Sequence, residues 1–124
     1  MAERQAADDH LASDGLPQHV FWLQDSFVVK YEVGGQTELT MHQDGSEVTF
    51  QLLLSDPKHF EGGGTFFEAA NASVHVEQGQ MITHFGQTFH AGLPIRAGVR
   101  YLLVGLVRVR PLAEAHALCK HHRC

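Results

Sequence analysis

The stretch Glu38–Leu54 reads ELTMHQDGSEVTFQLLL, two short apolar runs, Glu38–His42 and Glu47–Leu54, interrupted at Asp44-Gly45. Runs rich in β-branched and aromatic residues on either side of an Asp-Gly turn signal are the pattern of consecutive strands. The same stretch carries an imidazole and a carboxylate two residues apart, His42 and Asp44. In an extended strand that spacing turns both side chains to one face.

Upstream, SFVVKYEV is strand-like and closes at Gly34-Gly35, giving a first strand over Phe27–Glu32. Downstream, Ser55-Asp56-Pro57 breaks the run, and EGGGTFFE sets three glycines before an aromatic pair. Glycines in series let the backbone turn sharply or approach a neighbour closely. Thr65–Glu68, Ser73–Val76, Gln80–Phe85, His90–Leu93 and Val99–Val109 then read as strands, with a turn at Gln78-Gly79. Eight short strands punctuated by Gly, Pro or Asp predict an all-β fold, a double-stranded β-helix or jelly roll, with little helix beyond Leu112–Leu118. The expected organisation is a leader and short apolar segment over 1–24, the jelly-roll domain over 25–110 and a polar tail over 111–124.

Composition bounds the function. At 124 residues and 13.7 kDa the chain suits one domain. With 44% hydrophobic and 19% charged residues it is globular rather than disordered. Nine Lys plus Arg against fourteen Asp plus Glu, net charge -5, give no basic stripe for a nucleic acid. The polar start MAERQAADDH is no signal peptide, and no apolar run approaches a membrane span, so a soluble, cytoplasmic product is the default expectation. Both cysteines, Cys119 and Cys124, lie in the tail CKHHRC, where they cannot frame a disulfide-held core. That tail matches no zinc spacing and reads as solvated.

Any one of ten histidines is weak evidence, and His10, His19, His59, His75 and His116 read as surface or hydrogen-bonded residues. The combination of His42, Asp44 and a distant His90, in QTFHAGLP, is different. Two histidines and a carboxylate hold iron(II) from one side and leave coordination positions open, as a non-haem iron oxygenase requires. His84 is placed to support such ligands from outside. Arg100 alternates in register with Leu102, Val104 and Leu106, so an inward-facing strand would bury its guanidinium, which then needs an anion. Glu38 or Glu68, water at the strand mouth, or a bound dicarboxylate each satisfy that need.

From Phe27 to Val109, through FVVKY, MHQD, EGGGTFF and HAGLPIRAGVRYLLVGLV, the chain resembles the prolyl and lysyl hydroxylase branch of the 2-oxoglutarate/iron(II) oxygenases, most of all the procollagen lysyl hydroxylase catalytic domain. The resemblance implies His42, Asp44 and His90 as iron ligands, Arg100 on the distal carboxylate of 2-oxoglutarate, and Tyr31 and Thr49 as further cosubstrate contacts. It implies Fe(II), 2-oxoglutarate and dioxygen, with ascorbate as a further cofactor. The activity implied is hydroxylation of an unactivated C–H bond in a peptide or small-molecule substrate, a peptidyl lysine or proline by analogy, with release of succinate and carbon dioxide. A cupin-type metal enzyme and a non-catalytic jelly-roll fragment are the alternatives. The resemblance also implies a helical layer over the larger sheet; residues 1–24 do not supply one, so the bare sheet is expected to drive self-association.

Overall fold

The computed structural model describes residues 18–115 of the 124. The tail cysteines, His10, His116 and most of the expected leader lie outside the described residues. Nine strands run through the described chain: β1 (His19–Glu32), β2 (Leu39–His42), β3 (Val48–Leu53), β4 (Phe60–Gly62), β5 (Thr65–Phe67), β6 (Ala72–Val74), β7 (Met81–Phe85), β8 (His90–Gly92) and β9 (Ile95–Pro111). One sheet has the order β1-β9-β3-β7, with β4 also paired to β9; the other has the order β2-β8-β5-β6. The pairs β2–β8, β3–β7, β3–β9, β4–β9, β5–β6 and β5–β8 are antiparallel, and the fold is a jelly roll.

Three elements, β1, β4 and β9, differ from expectation. β1 begins at His19 rather than Phe27, because HVFWLQ continues a sheet-edge strand although its apolar residues do not alternate. β4 arises within the glycine-bearing loop, after a 3-10 turn at Pro57–His59 that Asp56 caps by accepting from the Lys58 N–H. Gly62, Gly63 and Gly64 all have positive φ, so this segment turns sharply before β5. Arg96 lies on β9 opposite the β4 segment, not in a loop as Pro94 and Gly98 suggest, and it is exposed.

The described residues fall into two compact units, 23–107 and the end segments 18–22 with 108–115. In the latter the Leu112 N–H donates to the Gln18 carbonyl and residues 112–115 make a helical turn. The larger unit has a small apolar core of Tyr31, Leu53, Ile95 and Leu102. β3 shows why it is small: Thr49, Gln51 and Leu53 are buried, whereas Val48, Phe50 and Leu52 on the other face are only half-buried. Two of the three inward positions of this inner strand are polar. On this strand the space between the sheets is therefore lined mostly by polar side chains.

Candidate metal centre

β2 and β8 are antiparallel neighbours in which His42 and His90 are directly paired, which sets their rings with centroids 4.3 Å apart. Asp44 lies just beyond the end of β2, where its N–H donates to the Gly86 carbonyl. The approach of Asp44 to His42 is thus made just past the strand end, not within an H-x-D strand. Asp44 Oδ1 is 3.5 Å from His42 Nε2, and Oδ2 is 3.6 Å from His90 Nε2. One donor atom from each residue lies within 4.8 Å of the others, so the three sequence-predicted ligands form one cluster.

The neighbouring hydrogen bonds orient these donors. The Nδ1–H of His42 donates to the Thr40 carbonyl at 2.7 Å and that of His90 to the Thr88 carbonyl at 2.8 Å. Each ring therefore presents its Nε2 lone pair to Asp44. Burial pushes the His90 imidazole below its ordinary range, with the Thr88 carbonyl opposing, which keeps that lone pair free. Thr49, fully buried, donates to Asp44 Oδ2 at 2.7 Å and is itself 2.7 Å from Ser46 Oγ. Two nitrogens and one oxygen, preset in tautomer and rotamer, fit a divalent iron ion.

His84 on β7 is the cross-strand partner of Thr49, and its side chain is 6% exposed. Its ring centroid is 4.3 Å from that of His90 and its Nε2 is 4.0 Å from Asp44 Oδ2. Two residues that the sequence did not single out complete the surroundings. Thr65 donates to Gln51 Oε1 at 2.8 Å, and Gln51 Nε2 lies 3.1 Å from His84 Nε2. Their only signal is parity: Gln51 shares a strand face with Thr49.

A cavity between the sheets is lined by His42, Asp44 and His90 together with Tyr31, Thr49, Gln51 and Thr65. Arg100 lies beside it. Its guanidinium carbon is 5.3 Å from the centre of the Tyr31 ring, and it lines a second cavity with Leu53, Gly64 and His75. The residue is 3% exposed, and its Nη1 is buried without a hydrogen-bond partner. Glu38 and Glu68 are exposed, and no described carboxylate forms an ion pair with it. Burial lowers the Arg100 pKa against the opposing effect of Tyr31, and burial raises that of Tyr31 against the guanidinium. An unpaired buried guanidinium is costly, and a carboxylate in bidentate contact meets that need. Gly63 and Gly92 leave the room: an added Cβ would stand 3.0 Å from Arg100 Cδ and 2.5 Å from the Tyr31 hydroxyl respectively.

Fold and cluster together give a jelly roll with a His-Asp-His cluster that could hold one metal ion, and the comparisons with known proteins bear on the fold and its family. No protein-family model matches the chain. Its sequence is similar to 2-oxoglutarate- and iron-dependent oxygenases. It is 35% identical over 103 residues to the human 2-oxoglutarate and iron-dependent oxygenase domain-containing protein 2, covering 76% of this chain and 28% of that one. The Xenopus tropicalis protein of the same name is 36% identical over 88 residues, 64% of this chain and 25% of the relative. Human procollagen-lysine,2-oxoglutarate 5-dioxygenase 2 is 35% identical over 86 residues, 66% and 12% of the two chains. The chain thus spans 12% to 28% of the length of these relatives. Among solved structures, a 2-oxoglutarate/iron(II) oxygenase-family oxidoreductase from Burkholderia pseudomallei superposes with TM-score 0.64 at 16% identity, over 73% of this chain and 46% of that one. The collagen prolyl hydroxylase of Paramecium Bursaria Chlorella virus-1 gives 0.56 at 20% identity, over 86% and 66%. These two share the fold. No described helix is long and apolar enough to cross a membrane.

Proposed function

We propose that this chain is the catalytic jelly roll of an iron(II)- and 2-oxoglutarate-dependent dioxygenase that hydroxylates an unactivated C–H bond, with peptidyl lysine or proline as the substrate class. The observation that carries the reading is Arg100, buried with Nη1 unpartnered against a tyrosine that lines the cavity of the His-Asp-His cluster. In this reading His42, Asp44 and His90 hold the iron, Arg100 holds the distal carboxylate of 2-oxoglutarate, and Tyr31 packs between guanidinium and cavity. The bound iron and cosubstrate would supply the oxidation of substrate by dioxygen, with 2-oxoglutarate split into succinate and carbon dioxide. The chain's own part is to hold and orient. Thr49 fixes the carboxylate of Asp44, the Thr40 and Thr88 carbonyls fix the imidazoles, and the sheets exclude water around Arg100. The lysine or proline preference rests on the procollagen-lysine dioxygenase among the relatives.

The test is succinate formation from 2-oxoglutarate by the purified chain with iron(II), in air, with lysine- and proline-containing peptides. Iron-dependent succinate, lost in Asp44→Ala and accelerated by one class of peptide, is expected. Tight iron binding without any succinate would instead point to a cupin-type metal enzyme.

A further inference from the structure

His84 brings a third imidazole to the cluster, and it needs an explanation. Its Nδ1–H donates to the Phe85 carbonyl at 2.9 Å, so Nε2 carries a lone pair, as in His42 and His90. That Nε2 is 4.0 Å from Asp44 Oδ2, only slightly farther than the Nε2 of His90 at 3.6 Å. Its side chain is as buried as that of His90, 6% against 5% exposed. What separates it from the other two is Gln51.

With one proton on the His84 ring, at Nδ1, the carboxamide of Gln51 is oriented one way. Its oxygen accepts from Thr65 Oγ1 at 2.8 Å, so its nitrogen faces His84 Nε2 at 3.1 Å and donates to it. The reverse orientation would set an amide oxygen against an imidazole lone pair. The lone pair that a third histidine would give to a metal is therefore occupied by a hydrogen bond. Gln51 is 6% exposed and Thr65 2%, so water does not compete for this contact.

We propose that Gln51 is a positioning residue of the metal centre: by donating to Nε2 of His84 it keeps a third imidazole out of the coordination sphere. His42, Asp44 and His90 then face the ion alone, and the positions opposite them stay open for a chelating cosubstrate. The proposal rests on the metal reading of the cluster. Thr65 sets the carboxamide and acts one step farther away.

Cobalt(II), added without cosubstrate to the metal-free protein, tests it through affinity and the visible ligand-field band. The His84→Ala protein should bind cobalt as the wild type does, within about twofold, with the same band, since His84 is not a ligand. Gln51→Leu should shift the band and tighten cobalt by about tenfold, within the range by which residues around a metal's ligands alter affinity. The double variant Gln51→Leu, His84→Ala should return band and affinity to wild type. If Gln51→Leu fails to fold, Thr65→Val carries the test, with the same shift at smaller amplitude. A folded Gln51→Leu or Thr65→Val with the wild-type band overturns the proposal, as does a tenfold loss of cobalt in His84→Ala alone. Cobalt binding that Asp44→Ala leaves intact would overturn the underlying metal reading, and the proposal with it.

Discussion

At the scale of single residues, the two arginines Arg96 and Arg100 divide on burial. Arg96 is exposed on β9, and its charge is solvated, whereas Arg100 is 3% exposed with Nη1 unpaired. Arg100→Met is expected to weaken 2-oxoglutarate binding by about 2–5 kcal/mol, the range for truncating one partner of a buried hydrogen-bonded charge pair. Arg96→Met should change it by less than about 1 kcal/mol, as for an exposed charge. Isothermal titration of both variants checks this, and equal losses would mean that β9 presents the other face to the cosubstrate. At the cluster, His42→Ala, Asp44→Ala and His90→Ala should each abolish tight iron binding as measured by equilibrium dialysis, while the exposed His59 and His75 should be replaceable by alanine without loss. Retained iron in His90→Ala would mean that His90 is not a ligand. Arg100 was legible because its parity with Leu102 and Val104 placed a charge on an apolar face. Gln51 and Thr65 were not, because polar residues alternating with apolar ones are the ordinary mark of a solvent face. On β3 the faces are reversed by the site.

At the scale of elements, the close approach of β8 to β1 places Tyr31 over the cavity. Gly92 on β8 has no room for a side chain, since an added Cβ would lie 2.5 Å from the Tyr31 hydroxyl and 3.0 Å from its Cζ. Gly92→Ala should therefore cost about 1–3 kcal/mol, the usual penalty for overpacking. Gly45→Ala, where an added Cβ meets nothing within 4 Å, should stay within about 0.5 kcal/mol. Urea unfolding of both variants makes the comparison, and an unperturbed Gly92→Ala would show that Tyr31 can move aside freely. Most strands were legible from turn signals and β-branched runs, with ends displaced by one to a few residues. β4 was hidden because Phe60–Gly62 is too short for a periodic pattern and ends in glycine. The early part of β1 was hidden because most of it is exposed, so no alternation marks it.

At the scale of the molecule, the interior is given to the site and apolar side chains remain outside. On the outer face of the larger sheet Leu52 is paired with Met81 and Leu103, and Val48 with Phe85 and Val107. Met81 is 55% exposed and Phe85 74%. Large exposed apolar patches mark association surfaces. Sedimentation at increasing concentration should show the average mass rising, and Phe85→Ser with Met81→Ser should suppress that rise. A monomer at every concentration would mean that this face is tolerated in water. Reception of iron and 2-oxoglutarate as one unit by the cluster and Arg100 is read by anaerobic titration with iron(II), then 2-oxoglutarate, followed in the visible. A weak charge-transfer band should appear only when both are present and saturate at one equivalent. It should be absent in Asp44→Ala and require far more 2-oxoglutarate in Arg100→Met. A folded, iron-loaded wild type that gives no band at any 2-oxoglutarate concentration would mean that the cluster and Arg100 do not receive iron and cosubstrate together.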